Sequence, residues 1–135
     1  MEILRSVLRE LPEFQQLLAA LDSGQSPAAV SGLAAVHRAH FAACLGQESG
    51  RPVVVVCADE GEAERMARDL SFLTGGEVPV LAARSFLFHN IATVSRQWEH
   101  RRLRLLYRLT RGEVPCLVAT VEALLQRTLP PEALE

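Results

Sequence analysis

The alternation of apolar and polar positions along the chain predicts a series of short helices and strands. The first element is a helix that begins at Pro12, because a helix loses no hydrogen bond when proline stands at its first position. Apolar residues then recur at the spacing of one helical face, at Phe14, Leu17, Leu18 and Leu21. The run Asp22-Ser23-Gly24 ends this helix.

Four apolar runs predict strands, at Ala28–Ser31, Val53–Cys57, Val78–Ala82 and Cys116–Thr120. The run Val53–Cys57 is continuous and rich in β-branched residues, which predicts a strand buried on both faces, as in a parallel sheet.

Helices are predicted between and after these strands, at Ala34–Gln47, from a cap at Asp59 to Thr74, at Ser95–Arg111 and at Val121–Arg127. Glu62 follows Asp59 by three residues, which is the spacing of a capping box. Glycines follow the first three of these helices, at Gly50, Gly75 and Gly112. The alternation predicts an α/β domain with a mostly parallel sheet and helices on both of its faces.

The length of 135 residues suits one domain. Residues 1–10 form an N-terminal extension, residues 11–129 form the domain, and residues 130–135 form an exit or linker that begins at Pro130-Pro131. Residues 84–94 are expected to form a loop or short turn. Four strands followed by an exit predict an incomplete sheet, whose open edge is a candidate for self-association.

Composition and charge argue against several classes of protein. The net charge is −2, which gives no general support for binding of nucleic acid phosphates. Apolar runs are far shorter than the roughly 20 residues of a membrane-spanning helix, and the charged N-terminus does not fit a signal peptide, so we expect a cytoplasmic protein without membrane contact. The three widely spaced cysteines, Cys44, Cys57 and Cys116, predict buried thiols rather than a disulfide framework or a zinc site.

A degenerate nucleotide-binding loop is predicted after the first strand. The pattern G-x-x-x-x-G-K-[ST], started at Gly32, places His37 at the second glycine, Arg38 at the lysine and Ala39 at the hydroxyl residue. His37 obstructs close approach of phosphate, Arg38 is a bulky planar cation, and Ala39 has no oxygen to offer magnesium. All 14 basic residues are arginine, so lysine cannot complete the loop from elsewhere. We therefore predict no nucleotide cofactor, although an ordinary strand–turn–helix with no nucleotide-binding ancestry stays open.

Two other groups of residues are weak candidates for a catalytic or metal-binding site. Asp59-Glu60 follows a hydrophobic strand, as a Walker B pair does, but capping of a helix is the simpler interpretation. His37 and His40 can share a helical face, yet no third metal ligand stands nearby in sequence. The sequence therefore predicts no metal site and no catalytic residues.

One charge pattern is a candidate partner surface. Arg101, Arg104, Arg108 and Arg111 fall within one narrow arc of the longest helix, and Trp98, Leu105, Leu106 and Leu109 supply an apolar side. The four arginines, here named the arginine stripe, are either a solvated face or a surface for an acidic partner or for DNA phosphates.

An ordered set of short matches runs through nearly the whole chain. They are Leu11–Phe14, Leu17–Leu21, Val30–Leu33, Arg51–Val56, Glu62–Arg65 with Asp69-Leu70, Val94–Arg96 and Val118–Arg127. From about Leu11 to Leu129 the chain resembles the N-terminal, UvrB-like region of the bacterial transcription-repair coupling factors.

The resemblance implies a P-loop or helicase-like fold similar to domain 1a of UvrB, with the nucleotide site lost. It implies a non-catalytic interaction and regulatory module in transcription-coupled nucleotide excision repair, which contacts the remainder of its parent chain. Binding of UvrA would then use segments that follow this chain, and DNA and RNA polymerase would be contacted by the parent protein only, whose translocase motor is absent here. The alternative from another class is a small nucleotide-binding α/β enzyme.

Overall fold

The computed structural model describes residues 7–83 and 96–133, and within them it has five helices and three strands, followed by a 3₁₀ turn. The helices are α1 (Pro12–Asp22), α2 (Ala35–Ser49), α3 (Glu60–Thr74), α4 (Arg96–Thr110) and α5 (Val121–Leu125), preceded by a helical turn at residues 7–9. The strands are β1 (Val53–Cys57), β2 (Val80–Leu81) and β3 (Cys116–Thr120), and the 3₁₀ turn is Pro131–Ala133. The predicted loop at 84–94 and the start of the predicted helix at Ser95 lie outside the described residues.

The three strands form one parallel sheet in the order β1-β3-β2. β3 is central, since Val118 pairs with Val55 on one side and with Val80 on the other. Every residue of β3 is buried, as expected of the middle strand of a sheet that is covered on both faces. The α/β class and the parallel sheet predicted from the sequence are confirmed.

Helices cover both faces of β3, and its alternating side chains divide the core in two. Cys116 and Val118 pack with residues of α2 and α3, including Leu70, which is fully buried. Leu117 and Ala119 pack on the other face with Leu105 of α4. The prediction of helices on both faces is therefore confirmed.

β1 departs from its prediction. Val53 and Val55 pack against the core shared with α2 and α3, but Val54 and Val56 are 52% and 50% exposed. These two valines align with Leu117 and Ala119, so they face the α4 side of the sheet. α4 packs over β2 and β3, and no described element covers β1 on that side. The prediction of burial on both faces is wrong for this strand.

The predicted strand at Ala28–Ser31 is absent. Residues 25–34 have no regular secondary structure and pair with no strand in the described part of the chain, and Val30 is 47% exposed. A β conformation is kept only where a neighbouring strand takes its hydrogen bonds and side chains find a packed face. Neither is present, so the sheet has three strands where the sequence predicted four.

The ends of the helices follow the local signals closely. Gly50 and Gly75 stand at the C-termini of α2 and α3 with φ of 63° and 74°, a left-handed backbone that glycine adopts without steric cost. β2 begins at Val80 rather than at Val78, whose amide donates to Ser71 Oγ at 2.9 Å, outside the sheet. α5 ends at Leu125, since Gln126 is extended.

Interactions outside the sheet attach the N-terminal part to α2. Phe14 of α1 meets Phe41 edge-on, with ring centroids 5.6 Å apart, and Phe14 is almost fully buried. Arg9 Nε donates to Glu48 Oε2 at 2.7 Å, so part of the predicted extension contacts the domain.

In the described residues, no helix combines the length and apolarity that crossing a membrane requires.

Candidate functional site

Part of the predicted degenerate loop forms the first turn of α2. The helix begins at Ala35, three residues after Gly32, so Ala35, Val36 and His37 are already helical. In the Walker pattern these positions belong to the loop whose amides surround a phosphate. Here the amide of His37 donates to the carbonyl of Ala34 at 2.9 Å, and no loop of the required length remains.

The residue at the hydroxyl position has no access to a ligand. Ala39 is 2% exposed and belongs to the core formed with α3 and β3. A serine or threonine at this position would point into that core rather than toward a bound magnesium ion. This position therefore offers neither the oxygen nor the orientation that magnesium binding needs.

Arg38, at the lysine position, is paired within the protein. Its Nη1 lies 3.7 Å from Glu62 Oε1, on α3. The arginine side chain is 57% exposed and that of Glu62 is 34% exposed, so water screens the pair and its energy is small. The ion pair does, however, determine the direction of the arginine side chain: the guanidinium of Arg38 is directed at the carboxylate of Glu62.

Glu62 and Asp59 form a variant of the predicted capping box. Asp59 Oδ1 accepts from the amide of Glu62 at 2.8 Å, and Glu62 Oε2 accepts from the amide of Ala58 at 3.1 Å. In the usual box the glutamate accepts from the cap residue itself, so the return bond here is shifted by one residue. Asp59 acts as a helix cap, in agreement with the simpler of its two interpretations.

Cys57 ends β1 beside these carboxylates. Burial raises the pKa of its thiol, and the charges of Glu62 and Asp59 raise the pKa further. A thiol with a raised pKa is a poor nucleophile at neutral pH. Cys44, Cys57 and Cys116 are all buried and free, as the sequence predicted.

The arginine stripe lies on the solvent side of α4. Arg101, Arg104 and Arg111 are exposed, whereas Arg108 is 41% exposed and its Nε lies 3.9 Å from Glu113. Leu105 is buried, with Leu106 and Leu109 packed beside it, so the predicted apolar side is confirmed. Residues 96–111 hold six arginines and one glutamate, while the rest of the chain holds eight arginines and fifteen acidic residues. The stripe is therefore a local basic surface on an acidic protein.

Arg102 is the arginine of α4 that sequence reasoning missed. Its guanidinium donates to the carbonyl of Ala82 at 3.1 Å and to that of Ala123 at 3.0 Å, and it stands 5.7 Å from the ring centroid of Trp98. Burial lowers its pKa. Its place on the apolar arc, between Trp98 and Leu106, was the signal in the sequence for a structural role.

Two curated proteins are similar to almost the whole chain. The transcription-repair-coupling factor of Bacillus subtilis (strain 168) is 28% identical over 132 residues, which is 97% of this chain and 11% of that protein. The transcription-repair-coupling factor of Myxococcus xanthus is 33% identical over 125 residues, which is 87% of this chain and 10% of that protein. The chain is a relative of the transcription-repair-coupling factors.

The match confirms the resemblance that the ordered sequence motifs indicated. The chain spans about a tenth of the length of the coupling factors that it matches. No protein-family profile matches the chain, and no solved structure is significantly similar to it.

Further features of this relative of the coupling factors bear on ligand binding. An open cavity of about 850 Å³ lies at the N-terminal ends of β1 and β3, lined by Gly46, Pro52, Leu109 and Pro115 among others. This is the opposite end of the strands from Arg38 and Glu62, whereas ligands of such sheets bind beyond the C-terminal ends. Among the described residues, no cluster of three or more histidine, cysteine, aspartate or glutamate side chains could hold a metal ion.

Proposed function

We propose that the chain is a non-catalytic interaction module of a transcription-repair coupling factor that acts in transcription-coupled nucleotide excision repair. Its fold would be a helicase-like domain similar to domain 1a of UvrB, in which the Walker A loop has degenerated. The observation that carries the proposal is the helical start of α2 across positions 35–37, where an active loop would surround the phosphates.

The proposed partners are inferred from the length of the related coupling factors and from the positive charge of the arginine stripe. The chain covers about a tenth of the coupling factors, so the remainder of the parent chain is the nearest available partner. The arginine stripe supplies exposed cations for an acidic surface there. UvrA would be bound through segments that follow this chain, and DNA and RNA polymerase by the parent protein. These contacts would be made in the cytoplasm, where we expect the protein to act.

A small nucleotide-binding enzyme is the less favoured alternative. It would need a loop that binds phosphate and a hydroxyl that reaches magnesium. Ala39 is buried in the core, and Arg38 is directed at Glu62. Neither arrangement supports binding of a nucleotide triphosphate.

Titration calorimetry with ATP or ADP in the presence of magnesium tests the proposal. We expect no binding and no hydrolysis by the wild-type chain. The triple variant His37→Gly, Arg38→Lys, Ala39→Thr restores the residue types, and we expect no binding by it either, because positions 35–37 are helical and position 39 faces the core. Low-micromolar binding by the wild-type chain would overturn the non-catalytic proposal in favour of the nucleotide-binding alternative.

A further inference from the structure

Two apolar side chains lie beside the arginine stripe on the exposed surface of α4. Leu103 and Tyr107 are 37% and 42% exposed, and neither belongs to either half of the core among the described residues. They stand four residues apart, so the helix brings them together on one face. These two residues are here named the apolar pair.

The apolar pair is adjacent to cations of the stripe. Arg104 precedes Tyr107 by three residues and Arg111 follows it by four, and side chains at these spacings are neighbours on a helix. Both arginines are exposed, and neither forms an ion pair with another described residue. The face therefore combines an aromatic ring and an aliphatic side chain with two cations that are accessible to a partner.

Packing of the domain does not account for the apolar pair. The buried side of α4 is formed by Leu105, with Leu106 and Leu109 beside it. A single exposed leucine is common on protein surfaces. Tyrosine and arginine, however, are the residue types enriched at the positions that contribute most to binding between proteins. Their combination on one exposed face is typical of a protein interface.

We propose that the apolar pair is the centre of the surface through which the arginine stripe docks onto the remainder of the parent chain, and that the docked segment is acidic with an apolar side chain among its carboxylates. The inference rests on the proposed function, because it takes the stripe as the docking surface. Residues 96–111 hold six arginines and one glutamate, so charge complementarity calls for carboxylates on the partner. The apolar pair calls for an apolar group, since burial releases water only where both surfaces are apolar.

The backbone of duplex DNA meets only one of these two requirements. Its phosphates suit the arginines, but a surface of phosphates and sugars offers little to cover Leu103 and Tyr107. Single-stranded nucleic acid could stack a base on Tyr107, so it is included in the test. An acidic protein segment with an apolar side chain matches both the cations and the apolar pair.

The two parts of the surface are expected to act on different rates. Exposed charges attract an acidic partner over a distance, so the stripe should govern the association rate and its dependence on salt. A buried apolar contact forms only in the docked complex, so the apolar pair should govern the dissociation rate.

Binding kinetics of the 135-residue chain with the remainder of the parent coupling factor test the inference. Tyr107→Ala should raise the dissociation rate by about tenfold or more and leave the association rate nearly unchanged. Tyr107→Phe keeps the ring and should bind as the wild type does. Phe72→Ala is the matched control, since Phe72 is an aromatic residue that is 79% exposed on α3, on the other face of the sheet, and this variant should also bind as the wild type does.

Photo-crosslinking tests the chemistry of the partner and does not depend on the alanine variant folding. Leu103→p-benzoylphenylalanine places a photoreactive group in the apolar pair and leaves the stripe intact. Irradiation of the complex should link position 103 to a segment of the remainder that carries carboxylates within about four residues of the linked position.

The outcomes separate this inference from the proposed function. If Tyr107→Ala binds as the wild type does, while the double variant Arg101→Glu, Arg104→Glu binds more weakly, the inference is wrong and the proposed function stands. No binding of the wild type to the remainder would contradict both. Nucleotide binding in calorimetry would contradict the non-catalytic proposal alone. A cross-link to a segment without carboxylates, or binding of a single-stranded oligonucleotide that Tyr107→Ala abolishes, would refute the acidic protein segment as the partner.

Discussion

Arg38 Nη1 lies 3.7 Å from Glu62 Oε1, so the cation at the lysine position of a nucleotide loop is directed at a carboxylate of the neighbouring helix. Glu62 also accepts the amide of Ala58, which ties the end of β1 to the start of α3. The same side chain thus completes a helix cap and receives the arginine. The residue that aligns with the Walker lysine is thus part of the packing between two helices.

The helix cap is expected to contribute more to stability than the ion pair. Asp59→Ala and Glu62→Ala each remove an acceptor from a backbone amide at the start of α3, at a cost of about 0.5–2 kcal/mol in the free energy of unfolding. Arg38→Ala removes only an exposed ion pair and should cost less than about 0.5 kcal/mol. Urea denaturation of the three variants gives these values, with Glu60→Ala, an exposed acid of the same turn, as the control. A larger loss for Arg38→Ala than for Asp59→Ala would contradict this order.

Arg102 is expected to stabilise the fold, in contrast to its neighbour Arg101. Arg102→Ala leaves the carbonyls of Ala82 and Ala123 without this donor, and hydrogen bonds to charged groups contribute about 1.5–3 kcal/mol each in such settings. Because part of the guanidinium is accessible to water, we expect a loss at the lower end of that range. Arg101→Ala, on the exposed side of the same helix, should change the free energy of unfolding by less than about 0.5 kcal/mol. Equal effects of the two substitutions in chemical denaturation would show that Arg102 has no structural role.

Gly75 and Gly76 offer a matched test of backbone conformation. An added Cβ meets nothing within 4 Å at either position, but Gly75 alone has a positive φ, of 74°. Gly75→Ala should therefore cost about 1–2 kcal/mol, whereas Gly76→Ala should be nearly neutral. Thermal unfolding of the two variants measures the difference, and equal melting temperatures would refute this explanation.

Local signals in the sequence predicted helix ends and strand identity well. Asp59 and Gly75 bracket α3 because capping and left-handed backbone depend on a few neighbouring residues. β3 was also predicted at its observed bounds, since a short apolar run between Pro115 and a capping threonine has few other solutions.

Features that depend on distant neighbours were predicted poorly. Residues 28–31 have the composition of a short strand, but they find no partner strand among the described residues. Val54 and Val56 were expected to be buried because β-branched runs are typical of covered strands, yet their cover is not supplied by α4. The position of Arg102 on the apolar arc separates it from the stripe, but its two acceptors could not be predicted, because they lie about twenty residues away on either side.

The residues of the predicted loop show the same difference between features set by local sequence and features set by distant neighbours. The departures of His37, Arg38 and Ala39 from the Walker pattern follow from its spacing alone, and the absence of nucleotide binding stays a prediction. The pairing of Arg38 with Glu62 and the burial of Ala39 depend on how α2 packs against α3, which no local pattern contains.

Docking of the arginine stripe onto the parent protein tests the interaction module most directly. The chain is titrated with the remainder of a coupling factor and, separately, with duplex DNA, as wild type and as the double variant Arg101→Glu, Arg104→Glu. The control is Arg65→Glu, Arg68→Glu, which reverses two exposed charges at the same spacing on α3. We expect the wild type and the control to bind the parent remainder. The stripe variant should bind it at least tenfold more weakly at low salt, with a smaller difference at high salt. Tight DNA binding by the wild type that the stripe variant loses, or no binding to either partner, would contradict this account.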